Sequence, residues 1–415
     1  MHTYNYSTSP IKDIKTIFII LFLFPTFWGY LDIGKGQLLF LCSTFILILT
    51  IIISHHYKIK FPFIALGIFG TISLYYLLSL NINLSFSKFN TISQKDYTDV
   101  LRPIFYMFYF SIPSFLNFTG YNLKYLIRIF VILTMIILVF DIIKFIPQFI
   151  PFLKLYTLFE PNSLNYNRFS GTFCFCYNYG FIMLFCLALC LYDKSKYKCI
   201  KVIGYILIFI LIGSRSVIIA CIMSFVIYYI SSPIALYKKI TFVPFIIGIC
   251  VLLFQIIVLI EIPIITDSID YTTRLIESIS GTAQDGSFNT RSSQLEKAMI
   301  LFYQSPIIGN GPIKGNTTPI EIQFGYYLSA WGIIGTFLFL SIMAIFFIWA
   351  HQSSKSKNVI VANFSKANRL WLIVSFFVGM STPITDQIRV FQIFYLLQGI
   401  QYAIYHNSTK LRSAR

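Results

Sequence analysis

The chain has 415 residues, of which 57% are hydrophobic and only 11% are charged, and its formal net charge is +17. Soluble globular domains carry about 25% charged residues, so this chain has too little polar surface for a water-soluble particle. The composition excludes soluble multidomain enzymes, disordered chains, coiled coils and secreted disulfide scaffolds, and it indicates a polytopic membrane protein.

The predicted elements are apolar segments that are long enough to cross a bilayer. A hydrocarbon layer of about 30 Å needs roughly 20 helical residues. The sequence predicts twelve such spans, near residues 14–31, 37–54, 61–80, 101–118, 125–146, 169–192, 199–213, 216–231, 241–261, 323–349, 369–385 and 388–405. The expected fold is therefore all-α, a single polytopic membrane domain over residues 1–415 with about 12 transmembrane helices and both termini on one side.

The distribution of charge predicts the orientation of these spans. With both termini in the cytoplasm, the cytoplasmic segments hold 19 Lys and Arg residues but only two acidic residues, Asp13 and Asp193. Lys and Arg residues near span ends are retained on the cytoplasmic side of a membrane. The basic net charge therefore has a topological origin, and it does not indicate nucleic acid as a partner.

One large loop, residues 262–322, is predicted on the outer face. It contains acidic residues, two arginines, a Gly/Asn/Pro-rich stretch and one amphipathic helix. The apolar stripe of that helix is formed by residues at spacings i, i+4 and i+7, namely Leu295, Met299 and Phe302. Asn289 or Thr290 is expected to cap the start of the helix, and Pro306 is expected to end it. A protein with most of its non-membrane residues on this face is expected to act there.

Arg215 is the most informative single residue. Only 36 residues separate Lys201 from Lys238, whereas two full crossings need about 40 residues and a turn. The turn 213–216 is therefore expected at membrane depth, where an arginine costs about 2.5–3.5 kcal/mol unless it faces a wet cavity or a partner. The functional interpretation is an anionic partner. The alternatives are snorkelling of Arg215 to the interface and a helix that starts before Lys201.

Three further arginines lie on outer-face segments: Arg168, Arg274 and Arg291. A guanidinium group fits phosphate oxygens bidentately, so several arginines around one cavity would suit a pyrophosphate or a chain of sugar phosphates. Taken singly, each of them is better explained as a solvated loop residue or a headgroup anchor.

A group transfer on the outer face also needs a base to take the acceptor proton. Glu321 is the first choice, because it lies where the large loop re-enters the membrane. All histidines fall on the predicted cytoplasmic side: His2, His55, His56, His351 and His406. The pair Cys174 and Cys176 has no histidine or second cysteine pair nearby, so the sequence predicts no metal site.

Three segments, in this order, resemble the O-antigen ligase and polymerase superfamily of bacterial envelope glycosyltransferases. The first is RFSGTF at 168–173, followed by Asn-Tyr-Gly at 178–180; the second is the turn GSRS at 213–216. The third runs from Arg291 through PIIGNGP at 306–312 to YLSAWGIIG at 327–335. The resemblance covers roughly residues 160–340.

The resemblance implies a helical membrane fold of the GT-C type, in the bacterial inner membrane. It implies transfer of a glycan from undecaprenyl pyrophosphate on the periplasmic face, without a metal ion or other cofactor. By position, Arg168, Arg215 and Arg291 would hold the pyrophosphate and offset the charge that develops on the leaving group, and Arg274 and Asn178 would also contact the substrate. The implied partners are undecaprenyl-pyrophosphate-linked glycans, the lipid bilayer and a chain-length regulator protein, and not nucleic acid.

The ligases of this superfamily carry a histidine in the segment that re-enters the membrane. Residues 316–323 of this chain, NTTPIEIQ, contain no histidine. The difference favours the polymerase branch, which joins lipid-linked repeat units into O-antigen or a related surface polysaccharide, and it leaves Glu321 as a candidate base that the resemblance does not support. The alternatives are an O-antigen ligase and a flippase or exporter of lipid-linked oligosaccharides. Such transporters generally need charged residues inside the spans of both halves and short loops on both faces. The second half of this chain has one long outer loop, which favours an enzyme.

Overall fold

The computed structural model describes residues 9–24, 33–59, 61–85, 94–116, 118, 122–143, 169–173, 175–232, 286–312, 320–380, 384 and 387–413. Over these ranges the chain forms α-helices and no strand, which confirms the all-α prediction. In chain order the helices are α1 (Ser9–Leu23), α2 (Ile33–Ser54), α3 (Phe63–Ser85), α4 (Gln94–Phe115), α5 (Leu123–Ile143), α6 (Cys176–Tyr192), α7 (Lys198–Ile212), α8 (Arg215–Ser231), α9 (Gly286–Gln304), α10 (Gln323–Ser353), α11 (Val359–Gly379) and α12 (Ile388–Ser413).

Every predicted span except one overlaps a helix, and the span at 241–261 lies outside the described residues. The helix ends differ most at α11, which begins at Val359 and not near residue 369. Asn358 caps this start, because its side-chain oxygen accepts hydrogen bonds from the N–H groups of Ile360 and Val361. The helix therefore includes Lys366 and Arg369, the charged residues at the predicted edge of the span.

The apolar helices agree with a membrane protein. Among the described residues, the segments Phe63–Ile82 and Gln323–Ser353 are long and apolar enough to cross a bilayer. The segments Leu38–Ser54, Cys176–Tyr192 and Arg215–Ser231 are apolar but shorter. The count of twelve crossings and the cytoplasmic position of the termini stay predictions.

Helices α4 and α12 run parallel and pack closely. The rings of Tyr106 and Tyr395 lie 4.8 Å apart, and one turn further along both helices Gly399 lies against the carbonyl group of Phe110. A Cβ atom at Gly399 would overlap that carbonyl oxygen. Small residues of this kind let the backbones of membrane helices approach each other.

Helix α11 runs antiparallel to α10 and α12. Gly379 at the end of α11 packs against Gln323 at the start of α10. Further along, Asn368 and Gln398 exchange two side-chain hydrogen bonds of 3.0 and 2.9 Å. Both amides are fully buried, and the reciprocal bonds satisfy polar groups that would otherwise be costly inside an apolar bundle.

These packings bring many helix ends together at one end of the bundle, which we call the α9 end because α9 packs there on the start of α10. At it lie the starts of α4, α6, α8, α10 and α12 and the ends of α3, α5, α7 and α11. They are among the helix ends that the sequence predicts on the outer face.

Candidate functional site

Residues 169–173 form a buried turn at the α9 end. Gly171 has a φ angle of +59°, and a Cβ atom at this position would overlap the side chain of Ile137 on α5. Asp141, fully buried near the end of α5, accepts a hydrogen bond of 3.2 Å from the N–H group of Ser170. A left-handed glycine and a buried carboxylate therefore hold this turn in place.

A buried arginine that the sequence did not single out lies beside the turn. Arg389 donates hydrogen bonds to the carbonyl oxygens of Thr172 and Phe24. Its guanidinium group lies 5.2 Å from the ring centre of Phe40 and 5.5 Å from that of Phe173. Arg389 thus joins α12 to the turn and to the end of α1, and these contacts give it a structural role. The available signal was its place just inside the apolar span 388–405.

The turn between α7 and α8 places Arg215 at the first position of a helix. Gly213 ends α7 in the left-handed conformation, with a φ angle of 61°, and Ser214 precedes α8 without a side-chain cap. The two helices have 15 and 17 residues, about 22 and 25 Å, which is shorter than a hydrocarbon layer of about 30 Å. The short pair is thus as predicted. Helix α7 starts at Lys198, before Lys201, which agrees with one of the alternatives to the functional interpretation of Arg215, and the position of the turn at membrane depth stays a prediction.

Arg215 is partly buried. The positive end of the α8 dipole lies beside the guanidinium group of Arg215, and both favour the binding of an anion. A helix that begins with a partly buried arginine and without a side-chain cap is thus well suited to bind a negatively charged group.

Asn178 lies close to this helix start. It is buried in the first turn of α6, and its amide nitrogen donates a hydrogen bond of 3.0 Å to Gln387. Its amide oxygen has no hydrogen-bond partner among the described residues. A Cβ atom on Gly180 would lie 2.7 Å from the side chain of Val217, so the starts of α6 and α8 are in contact. Asn178 and Arg215 therefore lie on neighbouring helix starts.

Helix α9 confirms the helix predicted in the large loop, and it ends at Gln304, before Pro306, as expected. It begins at Gly286, so Asn289 and Thr290 lie within the helix, where both are exposed. The prediction that one of them caps the helix start is therefore wrong.

In the structure Met299 and Phe302 of the apolar stripe are partly buried. Leu295 is 45% exposed, whereas Gln294 and Ala298 are buried. Ala298 lies 3.2 Å from the position of a Cβ atom on Gly325, so α9 approaches the start of α10 through its small residues. Arg291 is one turn before Gln294 on this same face and is partly buried.

Glu321 lies at the start of α10 and is exposed. Its backbone N–H group donates a hydrogen bond of 3.1 Å to the side-chain oxygen of Gln294. This bond attaches the re-entry segment to α9. This backbone contact does not test whether the Glu321 carboxylate acts as a base, so its catalytic role stays a prediction.

Helix α10 is interrupted at Gly332, which has φ 61° and ψ −164°. The interruption frees the carbonyl oxygens of Ser329 and Ala330. They accept hydrogen bonds of 3.0 and 2.8 Å from the backbone N–H groups of Asn310 and Gly311.

The same kink frees two backbone donors. The N–H groups of Ile333 and Ile334 donate to the carbonyl oxygens of Pro306 and Ile307, at 2.9 and 3.2 Å. Non-helical backbone at membrane depth needs such protein partners. The sequence shows only that two motif segments, 306–312 and 327–335, follow each other in the chain. In the structure they form one hydrogen-bonded unit.

A cavity opens beside this kink, between α3, α4, α10 and α12. Its empty space, including the open mouth, is about 620 Å³. The wall includes a set of tyrosine and tryptophan side chains: Tyr76, Tyr106, Tyr326, Tyr327, Trp331 and Tyr395. The sequence did not predict this cavity, because its walls come from four helices that are distant in the chain.

A buried ion pair lines the same cavity. Arg102 Nη1 lies 2.9 Å from Asp99 Oδ1, and the two side chains are 8% and 4% exposed. The hydroxyl group of Tyr326 donates a hydrogen bond of 2.8 Å to the other carboxylate oxygen of Asp99. Sequence reasoning missed both charges, although their i,i+3 spacing at the edge of the span 101–118 was a signal.

The structure describes only some of the site residues that the sequence predicts. Helix α8 with Arg215 packs on α11, helix α9 with Arg291 packs on α10, and α10 and α11 pack on each other. The two arginines therefore lie at the same end of the bundle on neighbouring helix pairs. Arg168 and Arg274 lie outside the described residues, so the gathering of three guanidinium groups around one pocket stays a prediction.

Comparison with known proteins supports the superfamily that the motifs resemble. Residues 201–340 match the model of a family described as O-antigen ligase. The matched stretch is about a third of the chain and includes Arg215, Arg291 and the whole unit around the α10 kink. A search of curated proteins finds no match. Over residues 201–340 the chain is thus similar to the O-antigen ligase family, within the ligase and polymerase superfamily of membrane enzymes.

Proposed function

We propose that this protein is a membrane glycosyltransferase that polymerises undecaprenyl-pyrophosphate-linked repeat units into O-antigen or a related surface polysaccharide. The similarity of residues 201–340 to the O-antigen ligase family is the observation that carries the proposal. The transfer would take place on the periplasmic face of the inner membrane, at the α9 end of the bundle.

The proposed reaction joins two lipid-linked glycans. The oxygen of an acceptor hydroxyl group bonds to the anomeric carbon at the reducing end of the growing chain. The bond between that carbon and the pyrophosphate oxygen breaks, and the acceptor proton is lost to a base or to water. Undecaprenyl pyrophosphate leaves with the electron pair, and its added negative charge needs stabilisation.

Arg215 and Arg291 are the proposed ligands of the pyrophosphate. Arg215 combines a guanidinium group with the positive end of α8, and Arg291 lies on the face of α9 that packs on the start of α10. Both residues are partly buried, which strengthens an ion pair relative to a fully hydrated one. Arg168, Arg274 and Asn178 are proposed as further substrate ligands.

An O-antigen ligase is the second candidate, because the matched family is described by that activity. The absence of histidine from residues 316–323 favours the polymerase. The two activities differ in the acceptor, which is a lipid-linked repeat unit for the polymerase and a lipid A core for the ligase.

The proposed function predicts how the chain length of the surface glycan changes in cells that carry arginine variants. Arg215→Ala and Arg291→Ala are each expected to abolish long-chain glycan and to leave single-repeat glycan on the surface, because the leaving group loses a cationic ligand. Gel separation of the surface glycan measures this. Arg128→Ala, which removes an exposed arginine from α5, is the matched control and should keep the wild-type ladder. Wild-type ladders from both test variants, at normal protein level, would contradict the pyrophosphate role.

A further inference from the structure

We propose that the aromatic cavity between α3, α4, α10 and α12 binds a sugar ring of the acceptor glycan, with the Asp99–Arg102 pair as the ligand of its hydroxyl groups. The inference rests on the proposed function, because it names the acceptor site of the same transferase. It gives a binding role to two buried charges that the pyrophosphate chemistry does not use.

The charges in the cavity favour a neutral, hydroxyl-bearing ligand. Asp99 and Arg102 together have no net charge, and they are buried within 2.9 Å of each other. A phosphate group would meet the Asp99 carboxylate as well as the arginine, and a hydrocarbon chain would satisfy neither of them. Sugar hydroxyl groups can donate to a carboxylate and accept from a guanidinium group at the same time. Ionisable groups buried in a membrane bundle are costly and mark functional sites.

The aromatic walls favour a ring with an apolar face. Tyr76 and Trp331 are stacked, with ring centres 3.7 Å apart and an angle of 6° between the ring planes. Tyr106 and Tyr395 lie 4.8 Å apart on the α4 and α12 side. The C–H groups on one face of a sugar ring pack on aromatic surfaces, and the hydroxyl group of Tyr326 in this wall is bonded to Asp99. The walls are preformed, because the Tyr75 hydroxyl group is bonded to the backbone of Trp331 at the kink.

The cavity has an open mouth, which its empty space of about 620 Å³ includes. A sugar can therefore enter from this mouth while the rest of a lipid-linked glycan stays outside.

The position of the cavity favours the acceptor over the donor. It is walled by α3, α4, α10 and α12, whereas Arg215 begins α8, which packs on α6, α7 and α11. The start of α10 links the two regions, because Tyr326 bonds to Asp99 while Glu321 and Gly325 contact α9. Two substrates can thus occupy different helix sets and meet at this helix start, as transfer between two glycans requires.

The test uses the purified full chain with lipid-linked repeat units as donor. The soluble acceptor is the repeat-unit oligosaccharide released from the host's own surface glycan and blocked at its reducing end. Asp99→Asn and Tyr106→Phe are expected to raise the KM for the soluble acceptor by about tenfold or more, the effect of losing one hydrogen bond in a buried polar site. The KM for the donor should stay within about twofold of the wild-type value.

Tyr109→Phe is the matched control. Tyr109 lies on α4 close to Tyr106, but its hydroxyl group bonds to Thr44 on α2 at 2.7 Å and does not line the cavity. This variant removes the same hydroxyl group from the same helix and should leave the KM for the acceptor unchanged. Tyr106→Phe also keeps the test falsifiable if Asp99→Asn fails to fold.

The outcomes separate this proposal from the proposed function. An unchanged acceptor KM in a folded variant, or a raised donor KM in its place, would overturn the acceptor site while the transferase stands. Binding of the soluble glycan, followed by tryptophan fluorescence, is measured in parallel. Glycan binding that weakens in Tyr106→Phe supports the sugar site even if the wild-type protein transfers nothing, and no binding to the wild-type protein overturns it.

Discussion

A guanidinium group in an apolar bundle needs a partner, and the described arginines of the α9 end meet this need in different ways. Arg102 pairs with Asp99, and Arg389 bonds to two backbone carbonyl groups. Arg215 and Arg291 are less buried and lie at a helix start and on the loop helix, where a substrate anion can reach them. The degree of burial therefore separates Arg102 and Arg389, which lie inside the bundle, from Arg215 and Arg291, which an anion from outside can reach.

Glycines at this end hold backbone conformations that other residues adopt only at a cost. Gly309→Ala is expected to destabilise the protein, because φ is +82° and a Cβ atom would overlap the carbonyl group of Ala330. The left-handed conformation alone costs about 1–2 kcal/mol for a residue with a Cβ atom. The measurement is the Tm of the detergent-solubilised protein. Gly67→Ala, with no atom within 4 Å of the new Cβ, should keep or raise Tm, and an equal Tm for both variants would contradict the docking of residues 306–311 on α10.

The position of Arg215 in a turn between two short helices could be predicted from the sequence, whereas the burial of Asp99, Arg102 and Arg389 could not. The spacing of charges along the chain sets the length of α7 and α8, so it marks Arg215 directly. A charge at the edge of an apolar span looks the same in sequence whether it reaches the headgroups or turns into the bundle. Only the packing of neighbouring helices shows that Asp99 and Arg102 are buried.

At the scale of elements, hydropathy predicted where helices lie but not how they are interrupted. The span 323–349 reads as one apolar run, and the kink at Gly332 depends on residues 306–311, which lie about 20 positions earlier. Hydropathy does not report on backbone hydrogen bonds. The Gly/Asn/Pro-rich stretch at 309–312 predicted the end of a helix, and its second role as the partner of the kink required the structure.

The register of α9 shows a second limit of sequence patterns. Leu295 of the apolar stripe is exposed, whereas Gln294 and Ala298 are buried. The approach of Ala298 to Gly325 and the hydrogen bond that Gln294 accepts from Glu321 select the face of α9 that packs on the start of α10. The spacing of apolar residues along the sequence does not report such contacts.

At the scale of the whole molecule, the helix ends predicted on the outer face lie together, and this can be tested by labelling. Tyr303→Cys places a thiol on α9 at a position that is 73% exposed. In spheroplasts, a membrane-impermeant maleimide should label this variant when its other cysteines are replaced. The native Cys199, exposed on α7 at the opposite end, should react only after lysis. The opposite pattern would contradict the predicted orientation.

The proposed polymerase joins lipid-linked glycans without an activated nucleotide sugar. To test this, the purified full chain is incubated with undecaprenyl-pyrophosphate-linked repeat units alone, and the products are analysed by mass. Chains of two or more repeats are expected, with one undecaprenyl pyrophosphate released for each new glycosidic bond. Repeat units recovered unchanged from folded protein, or transferred only after a lipid A core is added, would contradict the proposed polymerase.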